Sequence, residues 1–124
     1  MIDITVQISW FPHICISIKE LTEMSLFSIF SKGASVAEMK EKNAVVIDVR
    51  TPGEFASGHV KGSKNYPLQS ISGKVNQIKK MNRPVIFCCA SGMRSGQAAS
   101  MFKREGVDCI NGGGWRNVAR HYQQ

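Results

Sequence analysis

Residues 84–104 read PVIFCCASGMRSGQAASMFKR, and the order of residue types within them decides the fold. Pro84 to Cys88 is a short, almost wholly apolar run, the signature of a strand buried on both faces. Ala90-Ser91-Gly92 make a tight connection, and Ser95 to Arg104 reads as a helix with Ala98, Ala99 and Phe102 to pack and Gly106 to stop it. A buried strand turning through a short loop into a helix is the building unit of a parallel α/β sheet.

The rhythm continues on both sides. Ser35-Val36-Ala37-Glu38 is a capping box, in which serine and glutamate each satisfy a free N–H at a helix start. Ala44 to Asp48 is a second buried strand. Thr51-Pro52-Gly53-Glu54 is another capping box with proline at the first helical position, and Gly58 ends that brief helix. Asn65-Tyr66 before Pro67 fits a short strand, Ile71, Val75 and Ile78 mark one helical face, and Val107 to Ile110 reads as a last strand. Gly112-Gly113-Gly114 then precede a helix from about Trp115. The expectation is an α/β, three-layer fold: a small, mostly parallel sheet of about five strands with helices on both faces. In such sheets ligands gather at the carboxyl ends of strands, where residues 88–95 fall.

Residues 1–32 differ in style. Ile2, Ile4, Val6 and Ile8 alternate with polar residues, as do Ile14, Ile16 and Ile18, around Trp10-Phe11-Pro12-His13. They are read as an N-terminal extension, a hairpin or a disordered arm, and residues 33–124 as the working domain.

Composition narrows the function classes. A chain of 124 residues with 43% apolar content suits one ordinary globular domain. Asp3, Glu20 and Glu23 outweigh Lys19 and Lys32 near the start, a net −1, so within the formal charge of +7 the remainder carries +8. That charge favours small anions, but no aromatic-interleaved basic stripe points to nucleic acid. Cys15, Cys88, Cys89 and Cys109 show neither zinc-ligand spacing nor a disulfide framework, so no metal is expected and the thiols read as reduced. Residues 4–18 are uncharged but too short to cross a bilayer and are broken by Pro12, and they lack the basic start of a signal peptide. A cytoplasmic address without membrane partners follows by default.

The loop carries the chemistry. A cysteine nucleophile works as thiolate, so its pKa must drop below the free value. Converging loop N–H groups and the positive end of the following helix can lower it. Gly92 permits a backbone conformation closed to other residues, Arg94 supplies a fixed positive charge able to clamp an anion, and Ser95 is placed to cap the helix or reach the sulfur. Two frames compete. From Cys88 the loop reads C-x5-R, the spacing of a phosphatase; from Cys89 it reads C-x4-R. Glycine falls at the third position after Cys89, but Ser91 holds that place after Cys88, and Phe87 stands where a phosphatase often has histidine. Cys89 is therefore preferred as nucleophile, with Cys88 as a core residue closing the strand.

Three ordered blocks then resemble one family. VVIDVRTPGEFASGHVKGSKNYPL (residues 45–68), CASGMRS (89–95) and CINGGGW (109–115) are similar to the single-domain rhodanese, or thiosulfate sulfurtransferase, family, over about residues 33–122. The resemblance implies a persulfide enzyme: Cys89 takes sulfane sulfur from a small anionic donor such as thiosulfate and passes it to cyanide, a cellular thiol or a protein acceptor. It implies no cofactor. The cradle would be Ala90, Ser91, Gly92, Met93, Arg94 and Ser95, with Met93 at the pocket mouth and Asp48 and Arg50 in support. Arg50 is expected to pair with Asp48 or Glu54, His59 to be a turn residue, the glycines at 112–114 to allow a strand-to-helix turn, and Cys109 to be core. The competing readings are a phosphatase or arsenate reductase using Cys88, and a rhodanese-like module that only binds.

Overall fold

The computed structural model of the protein describes residues 33–123, so the extension expected over 1–32, with its strand periodicity, lies outside the described residues. Four strands form one parallel sheet in the order β2-β1-β3-β4: β1 (Val45–Asp48), β2 (Lys64–Asn65), β3 (Val85–Cys89) and β4 (Cys109–Gly114). This is the expected α/β architecture with four strands among the described residues where about five were anticipated.

Helices cover both faces. Strand side chains alternate between the faces, so β1 and β3 feed two separate cores. Val45, Ile47, Val85, Phe87 and Cys89 enter one, against Ile71 of a 3-10 turn (Leu68–Lys74) and the helices α3 (Val75–Met81) and α4 (Met93–Arg104). Val46, Ile86 and Cys88 enter the other, against Met39 of α1 (Val36–Glu41) and Val118 and Ala119 of α5 (Trp115–Ala119). Burial on both faces is why β1 and β3 read as unbroken apolar runs. The rings of Phe87 and Phe102 meet at 5.1 Å and anchor the first core.

Local chemistry matches local structure at both capping boxes. Ser35 with Glu38 opens α1, and Thr51 with Glu54 opens α2 (Pro52–Ala56). Three expected boundaries move. β3 includes Cys89, because Cys89 pairs with Gly114 in register. α4 starts at Met93, two residues before Ser95, so Ser95 lies inside its first turn and does not cap it. β4 runs on to Gly114, because its glycines can lie flat against β3.

Those glycines do more than turn the chain. A Cβ on Gly112 would sit 2.7 Å from Ile86 Cγ2 and 2.8 Å from Val118 Cγ2, and one on Gly114 would sit 2.9 Å from the Ala90 carbonyl oxygen. The strand is glycine-rich because neighbours press on it from the sheet, the helix and the loop. A register shift between Phe87 and Cys88 accompanies this close approach.

The strand order places the site. β2 lies on one side of β1 and β3 on the other, so the connections leaving the carboxyl ends of β1 and β3 separate there. Such a divergence opens a crevice above the sheet. Asp48 and Cys88 are register partners at that edge, and Cys89 is the next residue.

Candidate active site

Cys89 ends β3, and the loop it enters folds back over its sulfur. Gly92 N–H donates to Cys89 Sγ at 3.0 Å and Ser95 N–H donates to it at 3.4 Å, with Ser95 Oγ 3.3 Å away. Gly92 takes φ +106°, a left-handed value that favours glycine, and this turns its N–H inward. It is also the N-cap of α4, yet no side chain caps that helix from the N-cap position. Sulfur fills the role: the Ser95 N–H is one of the free donors of the first turn, and Cys89 Sγ accepts it. A negative sulfur here sits against the positive end of a twelve-residue helix.

The electrostatics of the adjacent cysteines diverge. Burial pushes the Cys89 thiol upward, but the Ser95 hydroxyl, when its proton faces the sulfur, and the N–H groups of Ser95, Gly92 and Ser91 outweigh it, and the net shift is downward. Cys88 faces the opposite core, where burial first and the Asp48 carboxylate second push its thiol up to about 12. One step along a strand separates a thiol that is made more acidic from one that is made less so. Burial also raises Cys109, to about 11; its Sγ is within hydrogen-bond distance of the Ala99 carbonyl at 3.4 Å. Cys109 stands at the start of β4 opposite Val85, four residues along β3 from Cys89, or about 13 Å at strand rise. It is core, and too distant to resolve a disulfide at Cys89.

The supporting residues form a knot beneath the loop. Arg50 Nε and Nη2 grip the Asp48 carboxylate at 2.7–3.0 Å, with Arg50 N–H adding a bond to Asp48 Oδ1 at 3.0 Å. Both side chains are almost fully enclosed, at 4% and 0% exposure, so each charge needs the other. Arg50 Nη2 also donates to the Gly58 carbonyl at 2.6 Å, and the guanidinium lies 4.9 Å from the Trp115 ring centre. Asn65 Nδ2 donates to the carbonyls of Asp48 and Arg50 at 3.0 and 2.9 Å. Residues scattered from 48 to 115 thus meet around one arginine.

Glu54 departs from its expected partner. It does not pair with Arg50, which is engaged by Asp48 and the Gly58 carbonyl. Instead Arg94 Nη1 and Nη2 donate to Glu54 Oε1 and Oε2 at 2.9 and 3.1 Å. Arg94, together with the Thr51 cap, draws the Glu54 carboxyl down to about 2. His59 is the expected structural residue: its ring stacks on Phe55 at 3.7 Å, with Nδ1 2.8 Å from the Phe55 carbonyl oxygen. Met93 is 75% exposed at the start of α4, on the rim of the loop.

Asn111 was invisible to the sequence reading. Its side chain reaches Ser95 Oγ (2.6 Å), the Gly92 carbonyl (3.0 Å) and Gly113 N–H (2.9 Å), tying β4 to the loop. The clue was Gly96, an unfavourable residue in a helix interior, whose Cβ would come within 3.1 Å of Asn111 Nδ2. Among the described residues no helix is long and apolar enough to cross a membrane.

Known proteins are similar to this chain in sequence and fold. Residues 33–121 match the Rhodanese-like domain family. The thiosulfate sulfurtransferase GlpE of Pseudomonas aeruginosa is 32% identical over 88 residues, covering 67% of this chain and 79% of its own length. The uncharacterized protein YqhL of Bacillus subtilis is 38% identical over 65 residues, 52% of this chain and 51% of YqhL, so this chain spans about half the length of that relative. Among solved structures, a rhodanese-like domain protein from Staphylococcus aureus superposes with a TM-score of 0.58 at 28% identity, covering 68% of this chain and 87% of that one. The match spans most of the chain, and the chain belongs to the rhodanese-like domain family.

Proposed function

We propose that the chain is a sulfurtransferase that carries sulfane sulfur on Cys89. The observation that carries the reading is the sulfur's position: Cys89 Sγ receives N–H groups from Gly92 and Ser95 at the start of α4. In the first half-reaction the Cys89 thiolate attacks the outer sulfur of thiosulfate. The Cys–S bond forms, the thiosulfate S–S bond breaks with its electron pair, and sulfite leaves. The terminal sulfur of the persulfide keeps the negative charge. In the second half-reaction cyanide or a thiolate attacks that terminal sulfur, giving thiocyanate or a new persulfide and returning Cys89 as thiolate. No net oxidant is consumed.

The loop amides stabilise anionic sulfur in both halves. Ala90 and Ser91 shape the turn, Arg94 supplies the positive field for an anionic donor, and Asp48 with Arg50 holds the end of β1 against β3. The working unit is residues 33–124, to which residues 1–32 are an addition. A reducing cytoplasm suits a free thiolate whose neighbour in sequence is another thiol.

Mass spectrometry after thiosulfate treatment tests the reading. One sulfur atom should add at Cys89 in the native protein and in Cys88→Ser, and cyanide should remove it as thiocyanate. Absence of the adduct, or its persistence in Cys89→Ser, overturns the assignment.

A further inference from the structure

The amide of Asn111 can face only one way. Nδ2 donates to the Gly92 carbonyl at 3.0 Å, and Oδ1 accepts from Gly113 N–H at 2.9 Å. A carbonyl oxygen cannot donate and a backbone N–H cannot accept, so flipping the amide would break both bonds. The third bond, between Ser95 Oγ and Asn111 Oδ1 at 2.6 Å, therefore has a set direction: the hydroxyl donates.

A serine has one hydroxyl proton. While Asn111 holds it, Ser95 Oγ turns only lone pairs toward Cys89 Sγ, 3.3 Å away. That arrangement suits the thiol, which can donate its S–H to the oxygen. It opposes the thiolate, which gains the hydroxyl as a donor only when the proton rotates from Asn111 to sulfur. Gly96 supports the arrangement independently. Its missing Cβ leaves the space beside Asn111 Nδ2 that lets the amide reach over the helix.

We propose that Asn111 competes with Cys89 for the Ser95 proton and thereby sets how readily the nucleophile forms. Asn111 is a positioning residue, acting on the sulfur through Ser95. The inference rests on Cys89 being the nucleophile, but not on which donor it serves. The other groups whose charge acts around the sulfur are Arg94 of α4, Cys88 of β3, and Asp48 and Arg50 at the end of β1, with Glu54 of α2 paired to Arg94. Arg94 donates to Glu54 and Arg50 donates to Asp48 and Gly58; a guanidinium has no acceptor, so neither arginine competes for the Ser95 proton.

The test is the pH dependence of iodoacetamide alkylation, read at Cys89 by mass spectrometry, in the full chain. Asn111→Ala removes the competitor, and the midpoint should fall by about half a pH unit or more, the difference between a neutral and a charge-assisted hydrogen bond. Asn111→Asp keeps the acceptor and strengthens its claim, so the midpoint should rise. Both shifts should shrink when Ser95→Ala is added, because no proton is left to contest. Opposite signs and loss of effect without Ser95 are not expected of a residue that merely holds the loop. Shifts of the same sign in both variants, or shifts unchanged by Ser95→Ala, overturn the proposal. If one variant fails to fold, the other decides it through its Ser95→Ala pair. Persulfide formation from thiosulfate, measured alongside, separates the two ideas: normal alkylation shifts without an adduct would sink the sulfurtransferase reading and leave this one standing.

Discussion

Glu54 and Arg94 close a two-pronged ion pair that joins helix α2 to the end of the cysteine loop, with contacts of 2.9 and 3.1 Å. The pair gives the capping box of α2 a second task, since the Oε1 that binds Arg94 also accepts from Thr51 N–H at 3.0 Å. Under the proposed function, an anionic donor held by Arg94 would share it with a carboxylate.

Glu54→Gln tests that sharing. Glutamine can still complete the capping box, so α2 should persist. With the negative charge gone, KM for thiosulfate should fall about two- to fivefold, the scale of one partly exposed ion pair, with kcat nearly unchanged. An unchanged or higher KM would remove Arg94 from donor binding. Glu54 is drawn down to about 2, so its protonation does not contribute to pH dependence near neutrality.

The cysteines should separate by alkylation. The Cys89 shift is downward, so its reactivity should rise with pH through a midpoint below that of a free thiol and be lost as pH falls through it. Cys88 and Cys109, pushed up to about 12 and 11, should stay unmodified in the native fold and react on denaturation. Raised thiol values also favour the neutral folded state. Their contribution is complete below the pKa of an unfolded thiol and drains away as pH climbs through 11 and 12. Thermal melts should therefore show stability falling above about pH 9, less steeply in Cys88→Ala, as the alkaline arm of the linkage requires.

Asp48→Asn should destabilise more than its single lost charge implies. Arg50 would remain enclosed at 4% exposure without its counterion. Breaking one side of a buried pair costs about 3–5 kcal/mol, or roughly 12 °C or more in Tm for a domain of this size. A drop of only a degree or two would show that Gly58 and Trp115 suffice to hold the arginine.

Two glycine substitutions should run against simple propensity. Gly112→Ala places a methyl 2.7 Å from Ile86 Cγ2 and 2.8 Å from Val118 Cγ2, an overpacking that costs about 1–3 kcal/mol. Gly96→Ala improves helix propensity, yet its Cβ would lie 3.1 Å from Asn111 Nδ2. The expected result is no net stabilisation in chemical denaturation, with an altered Cys89 alkylation midpoint. A gain of about 1 kcal/mol with an unchanged midpoint would show that Asn111 yields freely.

Much of this was legible along the chain. The two capping boxes, the buried runs at β1 and β3, the glycine at the third position after Cys89 and the enclosed Asp48–Arg50 pair are short-range features. Period-2 alternation alone sends Cys88 and Cys89 to opposite faces. Partners distant in sequence were not legible. Local spacing offers Arg50 either Asp48 or Glu54 as a partner; Asp48 takes it, and parallel crossovers bring Arg94 to Glu54 from forty residues on. Asn111 lay in plain view within CINGGGW, but nothing about an asparagine beside glycines points to a serine sixteen residues earlier.

By itself, then, the sequence determined the main elements and the family likeness and pointed to Cys89, because hydrophobic period, caps and loop length act over a few residues. Only the tertiary structure decided which charges meet, which glycines are pressed by neighbours and who holds the Ser95 proton. Those depend on directions and distances under 4 Å between chain segments, and such geometry exists only once the sheet has formed.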